Sequence, residues 1–196
     1  MEIFNTFLLT FIPLFVAIDA PGILPIYISL VEGMSEREKK RIVRHSVITA
    51  FFVAISFLFL GNILFSFLKI GLEDFMIAGG ILLLIISISE ILRVKEREFT
   101  VSETLGVVPI GTPLLAGPAT LTTLIILAGT YGYPIVIISL FLNLLIAWIM
   151  IEKAQELVKI FGIHGLKAFA KVMALLLSAI AISLIKRGLI KILNLG

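Results

Sequence analysis

The sequence predicts an all-α polytopic membrane protein with six transmembrane helices. Three observations predict it: long uncharged apolar runs recur along the chain, most charges gather between them, and two proline- and glycine-rich interruptions fall inside apolar runs at matching places. Of the 196 residues 60% are hydrophobic, and the mean hydropathy is +1.17. Soluble domains carry a much smaller apolar share. Spans leave no room for a separate soluble domain, so residues 1–196 read as one transmembrane domain. The net charge of +3 is no sign of nucleic-acid binding, because most basic residues lie in loops, where they orient the protein in the bilayer. With no cysteine in the chain, disulfides, thiol catalysis and thiolate metal sites are excluded.

The first span covers Ile3 to about Val31. As one helix it measures about 43 Å at about 1.5 Å per residue, against a hydrocarbon core of about 30 Å. A strong tilt or a break is required. Asp19-Ala20-Pro21-Gly22-Ile23-Leu24-Pro25 supplies the break, and Asp19 is the one charge in the run. Proline lacks the backbone N–H and clashes with the preceding turn, while glycine loosens a helix. Half-helices at about 3–18 and 21–31 are expected. Glu2 stands where a signal peptide carries basic residues, so this span reads as retained.

A loop at Glu32–Arg44 follows, in which Ser35-Glu36-Arg37-Glu38 has the form of a helix start. Span 2 runs from about Ile42 to Leu68. Span 3 is bracketed by Asp74 and Glu90 and is too short to cross unless it reaches Leu92. After the charged loop Arg93–Glu103, Thr104–Ile151 holds no charged residue, which is more than one helix needs. The turn-forming stretch Gly129-Thr130-Tyr131-Gly132-Tyr133-Pro134 divides it into spans 4 and 5. Span 6 lies within about Leu166–Leu189. Twelve of the 16 Lys and Arg residues fall on the side of loops 1–2, 3–4 and 5–6. The positive-inside rule therefore puts those loops in the cytoplasm of a cell-membrane protein and both termini outside.

An offset of 97 residues aligns the two halves, about 1–97 and 98–196. Pro21 meets Pro118, Glu32–Arg37 meets Gly129–Pro134, and span 3 meets span 6. The second interruption is Gly111-Thr112-Pro113-Leu114-Leu115-Ala116-Gly117-Pro118-Ala119-Thr120. Three spans per half is an odd number, so the halves are inverted relative to each other, with helices 1 and 4 broken at mid-membrane. Inverted repeats with discontinuous helices mark secondary transporters. The half-helices starting near Pro21 and Pro118 then converge at the midplane. Each contributes roughly half a positive charge and open N–H groups, which suits a carboxylate. The expected binding residues are Asp19, Ala20, Pro21, Gly22, Ile23, Pro25, Thr112, Pro113, Gly117, Pro118, Ala119 and Thr120.

In Asp19…Gly22…Pro25-Ile26-Tyr27 and Pro113-Leu114-Leu115-Ala116-Gly117-Pro118-Ala119-Thr120 the chain resembles the MarC family of six-span membrane proteins. The family usually has proline directly after the acidic or amide residue, where this chain has Ala20 and then Pro21, and a Phe where it has Tyr27. The resemblance implies uptake of small neutral amino acids such as glycine or alanine by symport with a cation, the proton being the expected ion.

Asp19 has two compatible readings: a cap for the second half-helix, or a group that binds the substrate ammonium or carries the coupling proton. Thr122 and Thr123 are expected to bond their own helix carbonyls, and Asn62 and Asn143 to join helices. Glu90 and Arg187 read as interfacial anchors. His45 and His164 lack neighbours at metal-ligand spacing, so neither a metal nor another cofactor is expected. Gly79-Gly80 permits close helix approach, within the chain or at a dimer interface. No His-Glu-x-x-His, Gly-x-Ser-x-Gly or phosphate-cradling glycine loop occurs, so an enzyme is not expected. A passive channel for a small neutral solute and a non-transporting scaffold or sensor are the alternatives to a transporter.

Overall fold

The computed structural model of the chain describes residues 2–31, 33–92 and 115–193, and all regular structure among them is helical. The helices are α1 (Glu2–Ile18), α2 (Ala20–Leu30), α3 (Glu36–Leu68), α4 (Leu72–Leu92), α5 (Pro118–Tyr131), α6 (Tyr133–Glu152) and α7 (Ala154–Ile192). Among the described residues five stretches are long and apolar enough to cross a membrane: Ile3–Leu24, Glu36–Gly61, Leu72–Leu92, Tyr133–Glu152 and Ala154–Ile192. Ala119–Tyr131 is a shorter apolar helix. The first part of the expected span 4 lies outside the described residues.

Local chemistry explains most boundaries. Ser35 and Glu38 form a reciprocal capping box: the Ser35 N–H donates to Glu38 Oε2 at 2.9 Å, and the Glu38 N–H to Ser35 Oγ at 3.4 Å. That box starts α3 at Glu36, so the basic part of the expected loop Glu32–Arg44 is helical instead. The helix continues its apolar span outward with charged turns. α4 reaches Leu92, the length that span 3 needs. Between α5 and α6 only Gly132 leaves helical geometry, at φ 88° and ψ 158°, and Pro134 sits in the first turn of α6, where its missing N–H costs nothing. α7 extends well before the expected span 6. It is divided at Gly162, whose φ of 68° and ψ of 161° suit glycine, so Lys159, expected in a loop, is helical.

α5 lies at the centre. Every residue from Ala119 to Ala128 except Leu121 is buried, as expected of a helix that is apolar on all sides. It takes part in both buried apolar clusters, one with α1, α2, α3 and α6 and the other with α1, α4 and α7. The outer helices turn large apolar residues such as Phe52, Ile63, Phe67 and Leu175 outward, 58–82% exposed. On a protein in water such a belt is a liability; facing lipid it is required.

Between helices in lipid, close contact replaces the hydrophobic effect as the cohesive force. The Gly79-Gly80 pair serves that purpose inside the chain: Gly79 receives the Thr122 side chain of α5, and Gly80 lies against Ala181 and Ile185 of α7. A β-carbon on Gly80 would stand 2.8 Å from the Ala181 carbonyl oxygen, and one on Gly188 would stand 2.8 Å from that of Glu73. Both clashes are with backbone. Gly80→Val is therefore expected to force α4 and α7 apart and cost about 1–3 kcal/mol, read as a lower thermal unfolding midpoint in detergent. Gly165→Ala, whose new carbon meets only Phe161 at 3.4 Å, should leave the midpoint in place.

Candidate functional site

The site begins with one missing hydrogen bond. In a continuous helix the N–H of residue 21 bonds the carbonyl of residue 17. Pro21 has no N–H, and its ring crowds that same carbonyl. α1 accordingly ends at Ile18, Asp19 takes left-handed geometry (φ 47°, ψ 47°), and α2 begins at Ala20 with Pro21 buried in its first turn. The helix ends lie within a residue of the expected 3–18 and 21–31. Left-handed geometry is unusual for a residue with a side chain, and aspartate is among the few that adopt it readily.

Asp19 caps α2. Its Oδ1 accepts the Gly22 N–H at 3.2 Å, and its carbonyl accepts the Ile23 N–H at 3.2 Å. Gly22 permits this, because a β-carbon there would press into the Asp19 carboxylate. Of the two readings of Asp19 the cap is thus realised, and it leaves the second carboxylate oxygen for other work. Ile23 is buried, and Pro25 lies within α2.

The second interruption meets the first through Thr120. Gly117 is extended (φ −73°, ψ 176°) and, as the N-cap residue of α5, supplies no side-chain cap; Pro118 opens the helix. Thr120, 1% exposed, has its Oγ1 2.9 Å from the Leu115 carbonyl oxygen and 3.4 Å from that of Ala17. The second of these is the carbonyl that Pro21 releases. One hydroxyl hydrogen is shared between two carbonyls, one from each interruption, the shorter contact being to Leu115. The first turn of α5 is thereby set against the last turn of α1, beside Asp19. Ala119 is buried in the cluster with α4 and α7. Thr112 and Pro113 lie outside the described residues.

Other residues have structural duties. Asn143 joins α6 to α1, donating from Nδ2 to the Phe11 carbonyl at 3.1 Å and to its own helix at Ser139. Beside it the Thr10 and Ser139 hydroxyls are 2.7 Å apart. Thr122 packs its methyl on Gly79. The own-helix bond expected for Thr123 is absent, its Oγ1 being buried with no partner among the described residues. Among those residues no group of three or more His, Asp or Glu side chains is arranged to hold a metal.

Two participants were not legible as such in the sequence. Ala17 contributes only its carbonyl, although a proline four residues later was the signal. Glu90, read as an interfacial anchor, is half-buried and continues the face of α4 marked by Met76, Gly80, Leu83 and Ser87. That periodicity was the available signal.

Comparison with known proteins gives the same picture of the whole chain. A UPF0056 membrane protein of Methanocaldococcus jannaschii is 29% identical over 207 residues, covering 99% of this chain and 91% of that one. One from Aquifex aeolicus is 28% identical, covering 99% and 97%, and one from Pyrococcus abyssi is 25% identical, covering 96% of each. No solved structure matches. Residues 4–193 match the family described as MarC family integral membrane protein. With that match over nearly its full length, the chain belongs to the MarC family of integral membrane proteins.

Proposed function

We propose that the protein is a secondary active transporter of small neutral amino acids of the glycine and alanine type, driven by a cation gradient and most simply by protons. The observation that carries this reading is the joining of the start of α5 to the end of α1, two residues before the Asp19 break, through Thr120 and the carbonyl of Ala17. The start of α2 is already capped by the Asp19 carboxylate, whereas the N-cap residue of α5, Gly117, has no side chain to offer. A substrate carboxylate therefore belongs at Gly117–Thr120, where open N–H groups and roughly half a positive charge favour it. The substrate ammonium belongs at the carbonyl end of α1 and the second oxygen of Asp19. Asp19 is also the first candidate for the coupling proton, with Glu90 the nearest alternative. No chemical conversion of the solute is part of this reading.

Two inverted three-span repeats supply the mechanism. The 97-residue offset carries Pro21 onto Pro118, each in the first turn of its helix, and Glu36 onto Tyr133, the first residues of α3 and α6. In this arrangement α1 with α2 forms one discontinuous helix, and α5 is the inner part of the other. Rocking of one repeat against the other exposes the site to each face in turn, with both termini outside the cell.

Purified protein in proteoliposomes is expected to accumulate labelled glycine or alanine above the external concentration when a pH gradient is imposed. Equilibration without accumulation under any cation gradient would indicate a channel and refute coupling. Gly117→Leu should abolish uptake while leaving insertion intact, because a bulky residue fills the approach to the open end of α5; normal uptake by this variant would overturn the placement of the carboxylate. Asp19→Asn retains a side chain that can cap α2. Equilibrative exchange should therefore survive in it while proton-driven accumulation is lost, and accumulation that persists would assign the proton elsewhere.

A further inference from the structure

A cleft of about 210 Å³ opens at the end of the molecule formed by the C-terminus of α2, the first turns of α3 and α7 and the last turn of α6. Its volume is below the roughly 300 Å³ at which drug-sized ligands begin to fit, so it suits a small solute. Lys39, Lys40 and Lys159 line it together with Glu36, Glu152 and Glu156, a balanced set with no net charge. Glu152 accepts Trp148 Nε1 at 3.0 Å and has Lys40 Nζ at 3.8 Å across from α3. Two helices of each proposed repeat, α2 and α3 of the first and α6 and α7 of the second, contribute to this lining.

Tyr27 is the residue that connects the cleft to the interior. It lines the cleft and yet is only 4% exposed. It lies on the buried face of α2, in the row Ala20, Leu24, Tyr27 and Val31, so seven residues of helix, about 10 Å at about 1.5 Å per residue, separate it from the first residue after the Asp19 break. Leu24, with no exposed surface, lies between them.

We infer that this cleft is one mouth of the solute path, and that Tyr27 with Leu24 behind it is the gate separating the mouth from the Asp19–Thr120 site. The inference rests on the transport reading for its purpose, but not for its test. The balanced lining offers both signs of charge to a zwitterion without trapping it, and an apolar constriction one to two turns long keeps water from the site while closed. Because the site end and the mouth end share one helix, a tilt of α2 moves the gate and the cap of the site together.

The natural chain has no cysteine, so a single introduced thiol has no background. In Ala20→Cys protein reconstituted in vesicles, a membrane-impermeant thiol reagent should react slowly. Adding Tyr27→Ala should raise the rate at least about tenfold from the face at which Lys40→Cys is labelled, and not from the other. Tyr27→Phe, which keeps the ring, should leave the rate low. Leu24→Ala provides an independent opening of the same path if Tyr27→Ala does not insert. An unchanged rate in the inserted variants, or acceleration from the opposite face, overturns the gate. No solute is present in this assay, so intact gating without glycine accumulation refutes the transport reading alone, and accumulation without gating refutes the gate alone.

Discussion

The carbonyl of Ala17 is the point on which the arrangement of the site depends. Pro21 denies it the helical partner it would otherwise have, and a buried carbonyl left without a donor costs about 1–3 kcal/mol. Thr120 satisfies it from a different helix, at 3.4 Å, while also holding the Leu115 carbonyl of its own interruption. In water such a bond would compete with solvent. In a protein interior with no water to substitute, the broken end of α1 is tied to the start of α5. A break that would otherwise be a defect becomes the means by which two distant parts of the sequence find each other.

Everything around that bond keeps the end of α1 and the start of α5 in register. α5 is buried nearly all round and has few ways to rotate without burying a clash. Gly79 and Gly80 let α4 approach α5 on one side, against the Thr122 side chain, and α7 on the other, against backbone atoms of Ala181 and Ile185. Closer to the N-terminus of α1, the Thr10–Ser139 hydroxyl pair and the Asn143 bond to the Phe11 carbonyl fasten α1 to α6. Small residues and a few polar bonds thus supply the specificity that a hydrophobic core supplies in soluble proteins.

The two helix starts differ in their caps. One is capped by the Asp19 side chain, and the N-cap residue of the other is a glycine. In the proposed transporter this difference would orient a zwitterion, with the carboxylate toward α5 and the ammonium toward Asp19 and the end of α1. A symmetrical pair of open helix starts would attract anions without discriminating between the two ends of an amino acid.

The sequence by itself determined the membrane class, the helix ends at Asp19 and Gly132, the start of α3 at its capping box and the two interruptions. All of these follow from short-range rules: apolar length, proline's missing donor, glycine's access to positive φ, and side chains that bond their own backbone. Family membership was legible for the same reason, since its motifs are the interruptions themselves. The length of α7 and its break at Gly162 were not legible, because charged turns such as Lys153–Lys159 read equally well as loop or as helix emerging from the bilayer. Only the tertiary structure decided that Gly79-Gly80 faces partners within the chain, that Asn143 bonds α1, that Glu90 is half-buried and that Thr120 reaches Ala17. Each of these depends on which helix stands beside which, and pairing between residues as far apart as 17 and 120 is fixed by packing that no local pattern encodes.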